Sequence, residues 1–262
     1  MALQKHETVI KKLLLDIFNN KLKAGVKMPT ERQLSATLGV DRTSLRMALK
    51  QLESMQVLDI RQGDGIYVKD YRKYAGVDFL RTLFFQQEDV KEEIVLDGYL
   101  VGEVCSFWAE FMPLMIRMSL GRMTHMEMKR YIDIFDEELE NLDDKAKIVE
   151  LEVLTQDMVA ESSGNLLMLL ISNSTRQLRT KIVQLFVDSI DTESVREHVT
   201  FKRALMNGYL VGEITDPDVF ANEHKKVLSM YQELLKGTWT ISEKEREMVR
   251  NVLLSGTEQS DS

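Results

Sequence analysis

Apolar residues recur at helical spacing through most of the chain, and the period changes in one place only. Val9, Leu13, Ile17 and Phe18 fall near one face of a first helix over 9–19. Ala24-Gly25 breaks that pattern, and Pro29 sets the chain for a new start. Thr30, followed by Glu31 and Arg32, reads as the N-cap and first turn of a second helix with Leu34 and Leu38 buried. Gly39 ends it, because glycine readily takes the positive φ of a helix C-terminus. Asp41 caps a third helix, in which Leu45, Ala48, Leu49, Leu52 and Met55 recur at helical spacing. Two short helices joined by a tight glycine turn make a helix-turn-helix. The period then drops to two. Val57, Leu58 and Ile60 predict a strand, Gln62-Gly63-Asp64-Gly65 a hairpin turn, and Ile66-Tyr67-Val68 the return strand.

Residues 74–87 read as a linker with a short helix over 78–85, and beyond it the helical period is continuous. Ile94, Val101, Cys105, Trp108 and Met112 mark a long helix reaching about Met118. Further helices are expected over 126–139, 148–162, 166–187, 195–206, 217–235 and 242–254, with a polar tail over 255–262. The acidic stretch 136–144 reads as a solvated face. In the 166–187 helix the core stripe is Ile171, Thr175, Leu178, Ile182 and Leu185. The expected fold class is therefore mainly α. A winged helix-turn-helix with a two-stranded wing (1–73) precedes an all-α bundle (88–236), with an extra helix and tail over 237–262.

Composition narrows the function classes. With 44% hydrophobic and 29% charged residues in 262, the chain is ordinary globular material, which excludes disorder throughout. No apolar run reaches the roughly 18 residues of a membrane helix, so a cytoplasmic protein with no membrane partner is expected. Cys105 is the only cysteine, which excludes an intrachain disulfide and reads as a buried core thiol. The net charge of -8 hides an asymmetry: residues 1–73 carry 14 Lys+Arg against 8 Asp+Glu, and the rest 20 against 34. A basic module followed by an acidic one fits a nucleic-acid reader joined to a domain that avoids nucleic acid. Catalytic motifs are missing: there is no phosphate-binding glycine loop, no His/Ser/Asp grouping and no metalloprotease motif, so no enzyme is expected.

Met28-Pro29-Thr30-Glu31-Arg32-Gln33-Leu34-Ser35, Leu38 through Arg46, and the wing Gln62 through Val68 together resemble the GntR family of bacterial transcription regulators. The physics of groove reading points the same way. Arg42 and Arg46 lie four apart on one helix face, and an arginine fork binds guanine O6 and N7 bidentately. Thr43 and Ser44 offer hydroxyls, Arg32 opens the preceding helix, and Gln62 and Gly63 sit at the wing tip, where a small turn reaches a minor groove. The resemblance implies that these seven positions contact DNA, that the partner is a double-stranded palindromic operator, and that the chain forms a homodimer. Asp41 departs from the family's usual Ser or Thr; it caps the helix but brings a negative charge near phosphate. The rival class is an adaptor that uses the winged helix for protein contacts without binding DNA.

The second half resembles the effector domain of the FadR-like branch of that family, through Glu161-Ser162-Ser163-Gly164-Asn165 and Arg203-Ala204-Leu205-Met206 to Gly212-Glu213. Many members of that branch hold a metal with one Asp and three His. Those positions carry over to Glu152, Gln156, Lys202 and His224. A protonated lysine repels a cation and Gln156 is a weak donor, so no metal and no cofactor is expected. A metal-dependent sensor of the same family stays open as the alternative. Lys202 either neutralises Glu152 internally or meets an anionic effector, an organic acid or acyl thioester, directly. Asn173, Arg176 and Arg179 form a further candidate anion site, with a solvated helix edge as the favoured reading of the same residues.

Overall fold

The computed structural model describes residues 2–85 and 93–238, which fall in two compact units, one within residues 1–96 and the other within 97–241.

In the first unit, α1 (Ala2–Phe18) starts earlier than the apolar pattern indicates, because the polar opening residues continue the same helix. Its buried Val9, Ile10, Leu13, Leu14, Ile17 and Phe18 pack on α3 (Arg42–Ser54), which buries Leu45, Ala48, Leu49 and Leu52. Between them, α2 (Glu31–Leu38) opens with a capping box, Thr30 and Gln33 satisfying each other's first-turn groups, and closes on Gly39 at φ 65°. Asp41 caps α3 by accepting from Ser44 N at 2.9 Å. The wing is a single antiparallel pair, β1 (Leu58–Arg61) and β2 (Gly65–Val68), with Leu58 opposite Val68 and Ile60 opposite Ile66. A short helix α4 (Tyr71–Tyr74) and then α5 (Val77–Phe85) follow. The helix expected in the linker is thus present as α5, and it lies against α1. Phe79 is buried, stacked on Tyr71 at 4.9 Å and tilted against Phe18 at 6.4 Å.

The second unit is wholly helical among its described residues. Its elements are α6 (Glu93–Leu120), α7 (His125–Glu140), α8 (Lys145–Ser162), α9 (Leu166–Ser189), α10 (Thr192–Leu210) and α11 (Pro217–Thr238). The closest neighbours are α8 with α9 and α7 with α10, and α11 lies against α9 and α10. Gly164, at φ 63°, makes the sharp exit from α8, and Asn165 then caps α9 by accepting from Leu167 N and Met168 N. Arg122 donates to Ser163 O at 2.8 Å and braces that turn. Cys105 is buried, as its position in the apolar stripe predicts, and burial pushes its thiol up to about 11. The helix expected over 242–254 and the tail over 255–262 lie outside the described residues.

Two sequence expectations fail here. Glu138, inside the acidic stretch read as solvated, is fully buried, because α7 turns that position onto α10. Arg179, read with Asn173 and Arg176 as helix edge, is 2% exposed and stands in the core row of α9 with Ser172, Thr175 and Val183. The spacing of 172, 175, 179, 183 and 186 already puts it there; treating Arg as a surface residue obscured it.

Candidate functional site

Two places on the molecule gather chemistry, one in each unit. In the first unit, helix α3 turns its apolar residues onto α1, which leaves Arg42, Thr43, Arg46, Met47 and Lys50 exposed on the opposite face. Arg32, on α2, is exposed as well. Arg46 Nε donates to Glu31 Oε2 at 2.8 Å across the turn between α2 and α3, with 65% of the arginine side chain still exposed. Ser44 must be corrected. It is 1% exposed, and both its amide and its hydroxyl donate to Asp41, at 2.9 and 2.8 Å. The capping geometry that fixes the start of α3 consumes this hydroxyl, so it is not presented to a groove. Met47 and Lys50 were missed as candidates, although they sit one turn beyond Thr43 and Arg46 on the same exposed side.

Gln62 and Gly63 lie exposed at the wing tip, where Gly63 adopts φ 79°. The wing is held from below by side chains. Lys27 donates to Asp64 at 2.9 Å, Tyr67 OH donates to the same carboxylate at 3.0 Å, and Arg61 covers the Tyr67 ring at 4.4 Å. Lys27 and Tyr67 push the Asp64 carboxyl below the ordinary carboxylate range. A Cβ at Gly65 would come within 2.5 Å of Lys27 Cε, so the lysine lies directly over that backbone.

In the second unit, α6, α7, α8, α9, α10 and α11 surround a cavity of about 140 Å³ whose lining residues all lie between 105 and 232. Most of its wall is apolar. One part carries a buried charge cluster, in which Lys202 Nζ donates to Glu152 Oε1 at 2.5 Å and to Glu138 Oε2 at 3.1 Å. His198 Nε2 stands 2.8 Å from the same Glu152 oxygen. Burial works against an ionised Glu152, but Lys202 and His198 overcome it and hold the carboxyl below the ordinary range. Burial raises Glu138; Lys202 offsets this only in part, Glu152 adds to it, and the carboxyl is pushed up to about 8. One ammonium therefore serves one carboxylate, and the second carboxyl keeps its proton near neutrality. Burial, with His198 and Lys202 nearby, pushes the His224 imidazole down to about 4, so it is neutral.

Elsewhere on the wall, the Arg179 guanidinium donates to Asp157 Oδ1 at 2.5 Å, Gln156 Oε1 at 3.0 Å and Ser172 O at 3.1 Å. Arg176 takes the other Asp157 oxygen from outside, at 3.1 Å, and Asn173 is exposed; neither lines the cavity. Glu152, Gln156, Lys202 and His224 all line it. Of the two roles open to Lys202, the geometry has the internal one. Sequence reasoning does not find Glu138, which is 64 positions from Lys202 and accepts from it, or His198, one turn before Lys202, which contacts the same Glu152 oxygen.

These residues do not fit a divalent metal. A protonated ammonium already occupies the space between the carboxylates, and Gln156 is committed to Arg179. Among the described residues no three His, Cys, Asp or Glu side chains are placed to hold an ion.

Comparison with known proteins adds to this geometry. Residues 5–68 match the family model described as bacterial regulatory proteins, gntR family. The chain is 35% identical over 89 residues to the HTH-type transcriptional regulator Mce2R of Mycobacterium tuberculosis, a match that covers 34% of this chain and 37% of that one. It is 29% identical over 184 residues to the fatty acid metabolism regulator protein of Cronobacter sakazakii, covering 70% and 72%. Among solved structures, Lar, which controls expression of the Listeria monocytogenes agr system, superposes with a TM-score of 0.50 at 14% identity. That superposition covers 87% of this chain and 96% of Lar. No helix among the described residues is long and apolar enough to cross a membrane. The amino-terminal winged helix, over residues 5–68, is thus similar to that of the GntR family of bacterial regulatory proteins.

Proposed function

We propose that the protein is a transcription regulator that binds a palindromic operator as a homodimer, with its affinity set by a small molecule in the cavity of the helical unit. The observation that carries this reading is the free face of α3. Arg42, Thr43, Arg46, Met47 and Lys50 are exposed together on one side of α3, with the wing tip as a second reaching element. Arg42, with no ion pair among the described residues, supplies the fork for a guanine edge, and Arg46 becomes available when it exchanges Glu31 for DNA. The hydroxyl of Thr43 suits a phosphate oxygen. Effector binding in the helical unit would act by favouring one spacing of two winged helices over another, which a paired half-site reads directly. The relative named for fatty acid metabolism supports an apolar effector, and so does the apolar wall.

Selection of bound fragments from a pool of random duplexes, followed by footprinting, tests the reading. The expected result is a dyad-symmetric site protected on two half-sites about one helical turn apart. Binding that is equal on all sequences, or absent at low salt, would overturn it in favour of the protein-interaction adaptor.

A further inference from the structure

The cavity wall holds two buried N–H donors that the fold leaves without partners. Trp108 is 7% exposed and Arg179 2% exposed; both line the cavity, and neither Trp108 Nε1 nor Arg179 Nε has a hydrogen-bond partner among the described residues. The guanidinium carbon of Arg179 lies 5.3 Å from the Trp108 ring, so the two donors share one stretch of wall. A buried N–H without an acceptor is costly, and native structures rarely keep one unless something else supplies the acceptor. Two such donors, in a chamber whose wall is mostly apolar and whose charged groups are already paired with one another, define the chemistry of what would satisfy them.

We propose that this chamber binds a small neutral carbonyl compound (a ketone or ester on a compact apolar body) whose oxygen accepts from Trp108 Nε1 and Arg179 Nε. Three observations fix the class. The acceptor is neutral, because each buried cation on the wall is already paired. Arg179 has Asp157 at 2.5 Å, and Lys202 has Glu152 at 2.5 Å with Glu138 at 3.1 Å. A carboxylate would enter with no cation left to balance it, and burying an unpaired charge costs more than any single hydrogen bond returns. The body is apolar, since Met112, Ile116, Phe135, Val183 and Leu205 line the same cavity. It is also compact. A cavity of about 140 Å³ is close to the roughly 150 Å³ known to hold one benzene ring. This replaces the anionic effector expected from Lys202. It rests on the proposed function only where ligand binding is said to alter DNA affinity.

Titration calorimetry on the full chain with four probes that share one phenyl ring decides the matter: acetophenone, methyl benzoate, benzoate and toluene. Acetophenone and methyl benzoate are expected to bind about tenfold more tightly than toluene, which has the body but not the acceptor. Benzoate is expected to bind more weakly than toluene. Trp108→Phe keeps an aromatic ring beside the guanidinium and removes one donor. It should weaken acetophenone by about three- to tenfold and leave toluene unchanged. Arg179→Met removes the second donor, but it also strips Asp157 and Gln156 of their partner, so the tryptophan variant carries the test. Benzoate binding as tightly as acetophenone, no probe binding up to its solubility limit, or a Trp108→Phe variant that treats acetophenone like wild type would each overturn the proposal. Operator titration with saturating acetophenone separates the two readings. If acetophenone binds yet operator affinity does not change, the carbonyl site stands and the regulatory role assigned to the cavity falls.

Discussion

Lys202 donates to Glu152 Oε1 at 2.5 Å inside the helical unit, joining α10 to α8 across 50 positions of sequence. Both side chains are at least nine-tenths buried. The pair is poor evidence of net stability, since desolvating two ions costs about what their attraction returns, but breaking it from one side is severe. Lys202→Met is expected to destabilise the protein by about 3–5 kcal/mol, because it leaves a buried carboxylate uncompensated. Adding Glu152→Gln to that variant should recover part of the loss, so the two changes are not additive. Urea unfolding of wild type, both single variants and the double variant measures this, and strictly additive losses would show that the two groups are not coupled.

Glu138 gives the pH dependence its sign. Its carboxyl rises from 4.5 to about 8 on folding, so between those values the folded chain holds a proton that the unfolded chain has released. Stability from this group is complete below about 4.5 and is lost as pH rises through about 8. Melting should therefore shift to lower temperature from pH 5 to pH 8, with a slope of at most about 1.4 kcal/mol per pH unit. Glu138→Gln, which imitates the protonated form, should flatten that slope. An unchanged slope in the variant would place the proton elsewhere. Glu152 runs the other way: its carboxyl is lowered, so its contribution is present above the ordinary carboxylate value and lost at more acid pH.

Removal or addition of metal should leave the protein indifferent. With the Lys202 ammonium between Glu138 and Glu152, neither excess chelator nor added zinc is expected to move the melting temperature. A rise of several degrees with zinc, lost again in His224→Ala, would show that the ammonium gives way to a cation.

On the DNA side, Arg42→Ala should weaken binding to the selected operator by about 1–3 kcal/mol and relax preference at one base pair. Glu31→Gln releases Arg46 from its ion pair and should tighten binding several-fold at low salt, with the gain shrinking as salt rises. Ser44→Ala should act on stability through the Asp41 cap and leave base preference alone. Fluorescence-anisotropy titrations at two salt concentrations separate these effects.

Gly164→Ala tests the turn between α8 and α9. The residue has φ 63°, and a Cβ there would stand 1.9 Å from Arg122 Nη1, which donates to Ser163 O. Backbone strain of about 1–3 kcal/mol is expected, together with loss of that brace. A thermal melt identical to wild type would mean that the turn relaxes freely.

Local signals carried the winged helix. Thr30, Gly39, Asp41 and the Gln62-Gly63-Asp64-Gly65 turn each act over a few residues, so caps, helix ends and hairpin register follow from neighbours in the chain. The helices of the second half were legible for the same reason, through their apolar period. The family resemblance points to Glu152, Gln156, Lys202 and His224 as one group, and all four line one cavity, but it leaves open whether Lys202 neutralises Glu152 or meets a ligand. Tertiary structure alone decided the pairing. Glu138 and Lys202 are 64 positions apart, and Arg179 meets Asp157 from 22 away, so no local pattern records those contacts. Charge makes these residues look like surface by composition; burial pairs them with one another, because an ion leaves water only where another chain segment brings its counterpart.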